Sequence, residues 1–328
     1  MAYFDYELDD SRIAQTPAEP RDSARLLVDH QGHIGHRHIS DLAEHVGPGD
    51  VIVVNDTKVL PARLYLTKPT GGKVEILLLE PDPRPDSPWG WWALARSGRQ
   101  VKPDTVLSYG DEPMVWVGHQ DRSGRRRVEL LSEDVMARIG HIPLPPYIHR
   151  QPDDINRYQT VYARQPGSVA APTAGLHLTK PLMGQIEQTG AKVVAVELRV
   201  GLGTFRPVTA ERVQDHDMHS ERYKIDPEIW EVISNADRVL AVGTTVVRTL
   251  ESAASSGQLE GSTDLFIRRG YEWKIVDRLL TNFHVPRSSL LVLLDAFVGP
   301  RWKALYDEAK ENDYRFFSFG DAMLVERL

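Results

Sequence analysis

Two kinds of sequence pattern divide the chain, and their nesting limits the folds that it can adopt. Beyond Pro61, short apolar runs are separated by Gly, Pro and Asp at the even spacing of a small β-barrel. The predicted barrel strands are Val74 to Leu79, Trp89 to Ala95, Thr105 to Tyr109, Pro113 to Val117 and Arg126 to Leu131. The proline-rich segment 142–147 ends this region, after which helix and strand patterns alternate.

The first strand of the chain belongs with the alternating part, so the barrel interrupts a larger domain. We therefore predict an α/β fold with a mixed sheet, formed by residues 1–60 and 148–328, and an inserted small β-barrel at 61–147. Its predicted strands are Val51 to Val54, Ala191 to Arg199, Arg238 to Val242 and Thr263 to Ile267. The predicted helices are Pro181 to Thr189, Pro227 to Ala236, Thr245 to Ser256 and Ser288 to Phe297.

Composition limits the chemistry and the partners. The chain has no cysteine, which excludes disulfides, thiolate metal sites and a cysteine nucleophile. An acidic N-terminus and the lack of a long apolar run lead us to expect a cytoplasmic protein without a membrane association. The net charge of -7 disfavours binding to nucleic acid unless basic residues are clustered on one surface. The segments 63–73, 96–102 and 122–127 are locally basic in this way. Reversing the charge of Arg125 to Arg127 is then expected to weaken RNA binding.

Polar residues follow several predicted strands, where open α/β sheets bind their ligands. They are Asn55, Asp56 and Thr57; Gly203 and Thr204; Gly243, Thr244 and Thr245; and Asn282 and His284. Thr173, Gly175 and His177 lie on a tight turn ahead of a helix, where freed amides and an imidazole can meet an anion. Helix capping and ordinary turns explain any one of these segments equally well.

His216, His219 and Glu221 have a spacing that can hold a metal, yet the sequence offers no evident further ligands to complete a site. We expect hydrogen bonds there, no metal, and turnover that survives chelation. A serine hydrolase is excluded because no Gly-x-Ser-x-Gly elbow occurs. A glycosidase using two of Asp56, Glu221 and Asp321 stays open on composition.

Eight segments together resemble one family in the order in which they occur. They are 48–57, 61–63, 158–163, 171–177, 218–221, 241–248, 281–284 and 314–321. The chain resembles the S-adenosylmethionine:tRNA ribosyltransferase-isomerase family of queuosine biosynthesis. Such agreement in order is far more specific than any single motif.

The resemblance implies a reaction and its partners. The ribosyl part of S-adenosylmethionine would be transferred and isomerised onto 7-aminomethyl-7-deazaguanine at the wobble position of a tRNA with a GUN-type anticodon. The product would be epoxyqueuosine-tRNA, with release of adenine and methionine. S-adenosylmethionine is thus a consumed co-substrate, and no tightly bound cofactor is expected. We expect a monomer.

The resemblance also singles out residues for the reaction. The expected catalytic residues are His177, Asp56, His219 and Glu221. His177 is our first choice for the base at the ribose carbon beside the sulfonium. The expected substrate-binding residues are Asn55, Thr57, Arg63, Tyr158, Thr173, Gly175, Gly203, Thr204, Gly243, Thr244, Thr245, Arg248, Asn282, His284, Arg315 and Asp321.

Two positions depart from the family pattern. Arg199 stands where the family has a histidine, and Leu178 stands where it has a phenylalanine. A permanent cation in place of a proton carrier leaves room for a paralogue that uses S-adenosylmethionine on a non-tRNA acceptor. A non-catalytic RNA-binding module is the other alternative.

Overall fold

The computed structural model describes residues 1–30, 32–150, 154–201, 212–216, 218 and 220–328. Its strands, numbered in chain order, are β1 Arg25–His30, β2 His33–His38, β3 Asp50–Asn55, β4 Thr57–Val59, β5 Arg63–Thr67, β6 Lys73–Pro81, β7 Gly90–Ser97, β8 Thr105–Tyr109, β9 Glu112–Gln120, β10 Arg126–Leu130, β11 Gly140–His141, β12 Gln165–Ser168, β13 Lys192–Leu198, β14 Glu221–Lys224, β15 Arg238–Val242, β16 Glu260–Thr263, β17 Arg278–Asn282 and β18 Ala322–Glu326. The helices are α1 Val135–Ile139, α2 Lys180–Gln188, α3 Pro227–Ser234, α4 Thr244–Ser256, α5 Ser289–Val298 and α6 Trp302–Glu311.

The chain divides into two compact units. The larger unit comprises residues 1–58, 145–165 and 171–328, and the smaller comprises 59–144 and 166–170. The larger unit holds a mixed sheet of nine strands in the order β16-β14-β13-β3-β15-β17-β18-β1-β2. β4 and β12 form a two-stranded sheet.

The mixed sheet forms around β3, whose Val-Ile-Val-Val run is buried along its whole length. β3 pairs in parallel with β13 on one side and with β15 on the other. Continuous apolar runs of this kind favour parallel strands that are covered on both faces. One face carries Ile52, Leu240 and Leu280, which pack with Leu182 and Ile186 of α2. Each such buried side chain stabilises the fold by about 1.5–3 kcal/mol.

The smaller unit is an antiparallel barrel. Its strands follow the order β5-β6-β7-β10-β9-β8, a pairing between β5 and β8 closes the ring, and β11 adds to β5. Buried and exposed side chains alternate along the strands, and the buried ones fill the interior of the barrel. In β5, for example, Leu64 and Leu66 point inward and Tyr65 points outward. The predicted fold class, a mixed-sheet α/β domain together with a small β-barrel, is confirmed.

One predicted strand is wrong. The chain is a strand over Glu260–Thr263, and residues 264–267 are not a strand. The Thr263 hydroxyl accepts a hydrogen bond from Leu265 N at 3.1 Å, and the backbone carbonyls of both residues accept from Arg248. Beyond Thr263, Leu265 is thus hydrogen-bonded to the side chains of Thr263 and Arg248 instead of to a neighbouring strand.

No helix within the described ranges is both long and apolar enough to cross a bilayer.

Candidate active site

The carboxyl ends of four neighbouring parallel strands meet at one edge of the mixed sheet: β13, β3, β15 and β17. The polar residues that follow the predicted strands were expected at this edge. Asn55 fixes the edge, since its amide nitrogen donates to Leu198 O at 2.9 Å and its Oδ1 accepts from Leu198 N and Thr57 N, both at 3.2 Å. Asn55 therefore serves the backbone of β3 and β13 in this structure.

His177 lies at this edge, at the end of the 3₁₀ turn Thr173–His177, and is buried. Its Nε2 is 3.1 Å from Asn282 Nδ2, which also donates to Phe317 O at 3.1 Å. Because an amide nitrogen only donates, Nε2 of His177 accepts, and the ring proton sits on Nδ1. Burial lowers the pKa of His177 to about 4, against the attraction of Asp321. His177 is thus a neutral imidazole at neutral pH.

Asp321 and Arg315 hold the segment that contacts Asn282, the hydrogen-bond partner of His177. The Asp321 carboxylate accepts hydrogen bonds from Arg25 N at 3.0 Å and from Arg315 N at 2.7 Å, and it pairs with the Arg315 guanidinium at 3.4 Å. These contacts hold a fully buried carboxylate, as buried charges require. They fix the segment 315–321, whose Phe317 carbonyl positions Asn282.

Asp56 follows β3 at the same edge. Its carboxylate pairs with Arg164, with the guanidinium Nε and Nη2 both 3.1 Å from Oδ2. Burial raises the pKa of Asp56 above its ordinary value, while Arg164 opposes the rise. Burial and the negative charge of Asp56 raise the pKa of Tyr162, whose hydroxyl is buried without a hydrogen-bond partner in the described chain.

A cleft of about 530 Å³, including its open mouth, lies in the larger unit. It is lined by His216, Met218, Glu221, Thr244, Thr245, Arg248, Leu265, Phe266, Ile267, Ser289, Leu290 and Leu293. One part of the wall is polar and the other is apolar. Such a mixture fits a ligand with a charged end and an apolar body.

A buried ion pair forms part of the polar wall. Glu221 and Arg248 are 5% and 6% exposed, and their side chains contact each other directly. Arg248 also donates to Leu265 O at 3.1 Å and to Thr263 O at 3.2 Å, and Glu221 accepts from Gly201 N at 3.0 Å. The many partners fix both side chains, which offsets the cost of burying their charges.

Two helices begin at the cleft. Thr244 and Thr245 form the first turn of α4, and Ser289 lies in the first turn of α5. The Thr245 hydroxyl is buried without a hydrogen-bond partner among the described residues. Gly243 precedes α4 with φ +91° and supplies no side-chain cap. Ser288 caps α5 by accepting from Leu291 N, whereas α4 has no side-chain cap. The uncapped amides of α4, the unpartnered Thr245 hydroxyl and the positive ends of the two helices favour an anion here.

The cleft adjoins the turn that carries His177. A Cβ on Gly243 would lie 3.6 Å from Ala174 Cβ and 3.6 Å from Thr245 Oγ1. The positive φ suits glycine at the β15–α4 junction, whereas a Cβ at these distances would be in ordinary contact. The 3₁₀ turn therefore packs against the start of α4, so the His177 cluster and the cleft are neighbours within the larger unit.

Other predicted site residues lie elsewhere or in supporting positions. His284 is buried, 3.0 Å from Thr281 Oγ1, and burial lowers its pKa to about 3. Tyr158 is fully buried against Phe319, while Thr173 starts the 3₁₀ turn. Arg63 belongs to the barrel, where it pairs with a glutamate of β6. Gly203, Thr204 and His219 lie outside the described residues.

Sequence reasoning missed several of the groups that build the site. Ser289, Phe266 and Leu293 line the cleft, and Arg164 and Tyr162 surround Asp56. The Ser-Ser pair ahead of an apolar run marks a helix start, so Ser289 had a readable signal. Within the ranges that the structure describes, no group of three or more His, Cys, Asp or Glu side chains is placed to hold a metal.

The two departures from the family pattern both have structural partners. Arg199 pairs with Glu197 at 2.7 Å near the surface. Leu178 is fully buried in the core beside α2. Neither side chain lines the cleft.

The larger unit combines a mixed α/β sheet with a cleft at two helix N-termini, and the smaller unit is a β-barrel. The sequence contains neither a dinucleotide fingerprint nor a hydrolase elbow, so these features define a two-unit α/β enzyme outside those two classes. The profile of the family described as queuosine biosynthesis protein matches residues 1–325. The chain belongs to that family.

Named relatives agree with this membership. An S-adenosylmethionine:tRNA ribosyltransferase-isomerase of Rubrobacter xylanophilus is 49% identical, covering 98% of this chain and 96% of the relative. The enzyme of that name from Moorella thermoacetica is 48% identical, covering 98% of each chain. The crystal structure of S-adenosylmethionine tRNA ribosyltransferase from Thermotoga maritima is 34% identical with a TM-score of 0.56, covering 98% of this chain and 99% of that one.

Proposed function

We propose that this enzyme transfers and isomerises the ribosyl moiety of S-adenosylmethionine onto 7-aminomethyl-7-deazaguanine at the wobble position of tRNA. The product is epoxyqueuosine-tRNA, and adenine and methionine leave. The observation that carries the proposal is the cleft of the larger unit, where two helix N-termini, a buried ion pair and an apolar wall surround one space. Family membership over 325 residues supports the same reaction.

The amino-acid end of S-adenosylmethionine fits the polar wall. Its carboxylate would accept from the first-turn amides of α4 and from the unpartnered Thr245 hydroxyl. Its ammonium would lie near Glu221, whose carboxylate Arg248 holds in place. The methylene chain and the base would cover the apolar side chains Leu265, Phe266 and Leu293.

The reaction needs proton transfers that neighbouring groups can supply. The attacking aminomethyl group must lose a proton, because a primary amine is mostly cationic at neutral pH. Two bonds to the ribosyl unit then break, one to the methionine sulfur and one to adenine, and two form in their place: the carbon–nitrogen bond to the aminomethyl group and the carbon–carbon bond that closes the cyclopentane ring. The ribosyl ring oxygen stays as the epoxide oxygen, and adenine leaves with a proton. The carbon beside the positive sulfonium is the acidic position of the ribosyl unit, and a placed base would remove its proton.

Two side chains compete for the role of that base. His177 is unprotonated at neutral pH, but its Nε2 lone pair already accepts from Asn282. Nδ1 carries a proton and has no partner among the described residues, so His177 is better placed to donate a hydrogen bond, for example to the departing adenine. Asp56 has a pKa raised by burial and lies at the same sheet edge, which makes it the stronger acceptor.

An assay of adenine release tests the proposal against its alternatives. The protein is incubated with S-adenosylmethionine, with and without tRNA that carries 7-aminomethyl-7-deazaguanine, and free adenine is quantified. We expect release only with the modified tRNA. Release that needs no tRNA would point to the paralogue with another acceptor, and tRNA binding without any release would leave a non-catalytic RNA-binding protein.

A further inference from the structure

The barrel has two ends of opposite charge. Because consecutive strands of the ring are antiparallel, the connections 68–72, 98–104 and 121–125 all lie at one end. We call this the basic end. The connections 82–89 and 110–111 and the segment 131–134 after β10 lie at the opposite, acidic end.

Charged residues divide sharply between the two ends. The three connections of the basic end contain Lys68, Arg99, Lys102, Arg122 and Arg125 against Asp104 and Asp121. The acidic end contains Asp82, Asp86, Asp111, Glu133 and Asp134 against Arg84. A barrel polarised in this way presents a positive surface in a protein whose net charge is -7.

The cations of the basic end are available for a ligand. Arg99, Lys102 and Arg122 are exposed, as is Lys73 at the start of β6, and none of the four forms an ion pair within the described part of the chain. The Lys68 ammonium donates to Arg99 O at 2.6 Å, which joins two of the connections. Exposed cations that outnumber the acids around them and form no ion pair are the pattern of a phosphate-binding surface.

The cluster Arg125 to Arg127, which the sequence suggested for RNA, is hydrogen-bonded to other residues of the barrel. Arg125 pairs with Glu80 at 2.8 Å and with Asp121 at 3.1 Å. Arg126 is buried and donates to Gly118 O at 3.0 Å. Arg127 pairs with Asp82 at 2.8 Å. These three residues hold strands together, so that expectation moves to the neighbouring free cations.

We infer that the basic end of the barrel binds the phosphate backbone of the RNA substrate through Lys73, Arg99, Lys102 and Arg122. The inference rests on the proposed function for the identity of the ligand and on the polarised barrel for its place. Phosphate contacts supply most of the affinity of proteins for nucleic acids, and an acidic protein can make them only through a local basic face.

Two matched variants test this surface. K73E/K102E reverses two free lysines at the basic end, and K180E/K192E reverses two exposed lysines of the larger unit that likewise form no ion pair within the described ranges. Both change the net charge equally. Binding of an unmodified tRNA transcript is measured by fluorescence anisotropy over a salt series, and thermal melting checks the fold of each variant.

We expect K73E/K102E to weaken binding about tenfold or more and to flatten the log–log salt dependence by about 0.7–0.9 for each phosphate that it no longer neutralises, whereas K180E/K192E binds within about twofold of wild type. Equal weakening in both variants would reveal a net-charge effect and overturn the inference. Wild-type binding of a polyglutamate peptide as tight as that of tRNA would overturn it as well.

The outcome is separable from that of the proposed function, because binding of a transcript requires no turnover. If K73E/K102E keeps wild-type affinity while adenine release still depends on tRNA, the inferred role of the basic end is refuted and the proposed reaction is supported. If K73E/K102E loses affinity for tRNA and the wild-type protein releases no adenine, the basic end is supported as the RNA-binding surface and the proposed reaction is refuted. A wild-type protein that binds no tRNA would overturn both.

Discussion

His177 illustrates how one hydrogen bond decides a chemical role. Asn282 donates to its Nε2, and burial keeps the ring neutral with a pKa of about 4. A base must offer a lone pair, and the lone pair of this ring is already in use. The Nδ1–H is the remaining hydrogen-bonding group of the ring, and we propose that it donates to the reacting groups.

The substitutions His177→Ala and His177→Gln separate the two roles. Ala removes any role, so we expect turnover to fall about 100-fold, with folding and S-adenosylmethionine binding intact. Gln can still donate through its amide, so we expect it to retain most of the turnover that Ala loses. Steady-state kinetics with saturating substrates provide the measurement. A Gln variant as slow as the Ala variant would restore His177 as the base.

The Thr245 hydroxyl lines the cleft and is buried without a hydrogen-bond partner among the described residues. Thr245→Val keeps the shape and removes a hydroxyl without a partner in the described chain, so stability should stay equal or rise. The variant should weaken S-adenosylmethionine binding about tenfold, the loss of one hydrogen bond to a charged group. Calorimetric titration measures the affinity.

Thr249→Val is the matched control for Thr245→Val. Thr249 lies one turn further along α4, is fully buried, and donates to Thr245 O at 3.0 Å. It does not line the cleft. Its replacement should leave S-adenosylmethionine affinity unchanged, and an equal loss in both variants would mean that α4 had merely been disturbed.

The turn Thr173–His177 shows, at the scale of an element, why a glycine is needed beside Tyr162. A Cβ on Gly175 would lie 2.0 Å from the Tyr162 hydroxyl oxygen and 3.2 Å from Cζ. Gly175→Ala should therefore lower the free energy of unfolding by about 1–3 kcal/mol. Adding Tyr162→Phe removes the closest atom and should recover part of the loss, as urea unfolding can measure. No recovery would place the strain elsewhere, at Thr160.

Elements with strong local signals were predictable from the sequence. α3 begins at Pro227 as its cap predicts, because Asp226 accepts from Glu228 N at 2.9 Å. β8 and β15 have the predicted bounds because turn residues flank both runs. The strand predicted at 263–267 was wrong beyond Thr263, where Leu265 is hydrogen-bonded to the side chains of Thr263 and Arg248 and not to a neighbouring strand. No local pattern reports such a distant partner.

Pairing between distant segments was not readable. β1 and β18 lie side by side in parallel, with Leu26 opposite Ala322, although nearly the whole chain separates them. Their short apolar runs carry no information about which partner each selects. The strand-end polar residues were predictable because a parallel sheet brings carboxyl ends together, whereas the apolar wall at 265–267 depends on how that segment packs.

At the scale of the whole molecule, two buried histidines link stability to acid. His177 and His284 have folded-state pKa values of about 4 and about 3, below the ordinary value of 6.5. Between the folded-state pKa and 6.5, the unfolded chain binds more protons than the folded protein. The free energy of unfolding is therefore highest above pH 6.5 and falls as the pH decreases below it. From pH 7 to pH 5 each histidine should cost about 2 kcal/mol.

His284→Gln tests this linkage, because it removes one of the two titrating groups. Its free energy of unfolding in urea should lose about 2 kcal/mol less than wild type between pH 7 and pH 5. An exposed histidine, His33, supplies the control, and His33→Gln should follow the wild-type curve. Identical pH dependence of all three proteins would contradict the assignment of a neutral, buried His284.

The central claim is that atoms of S-adenosylmethionine end in tRNA. The direct measurement uses S-adenosylmethionine labelled with ¹³C in its ribose, tRNA bearing 7-aminomethyl-7-deazaguanine, and mass spectrometry of the digested nucleosides. We expect the whole labelled ribosyl unit to appear on the wobble nucleoside, with one adenine and one methionine released for each label incorporated. Release of adenine while the label stays out of the tRNA would contradict it.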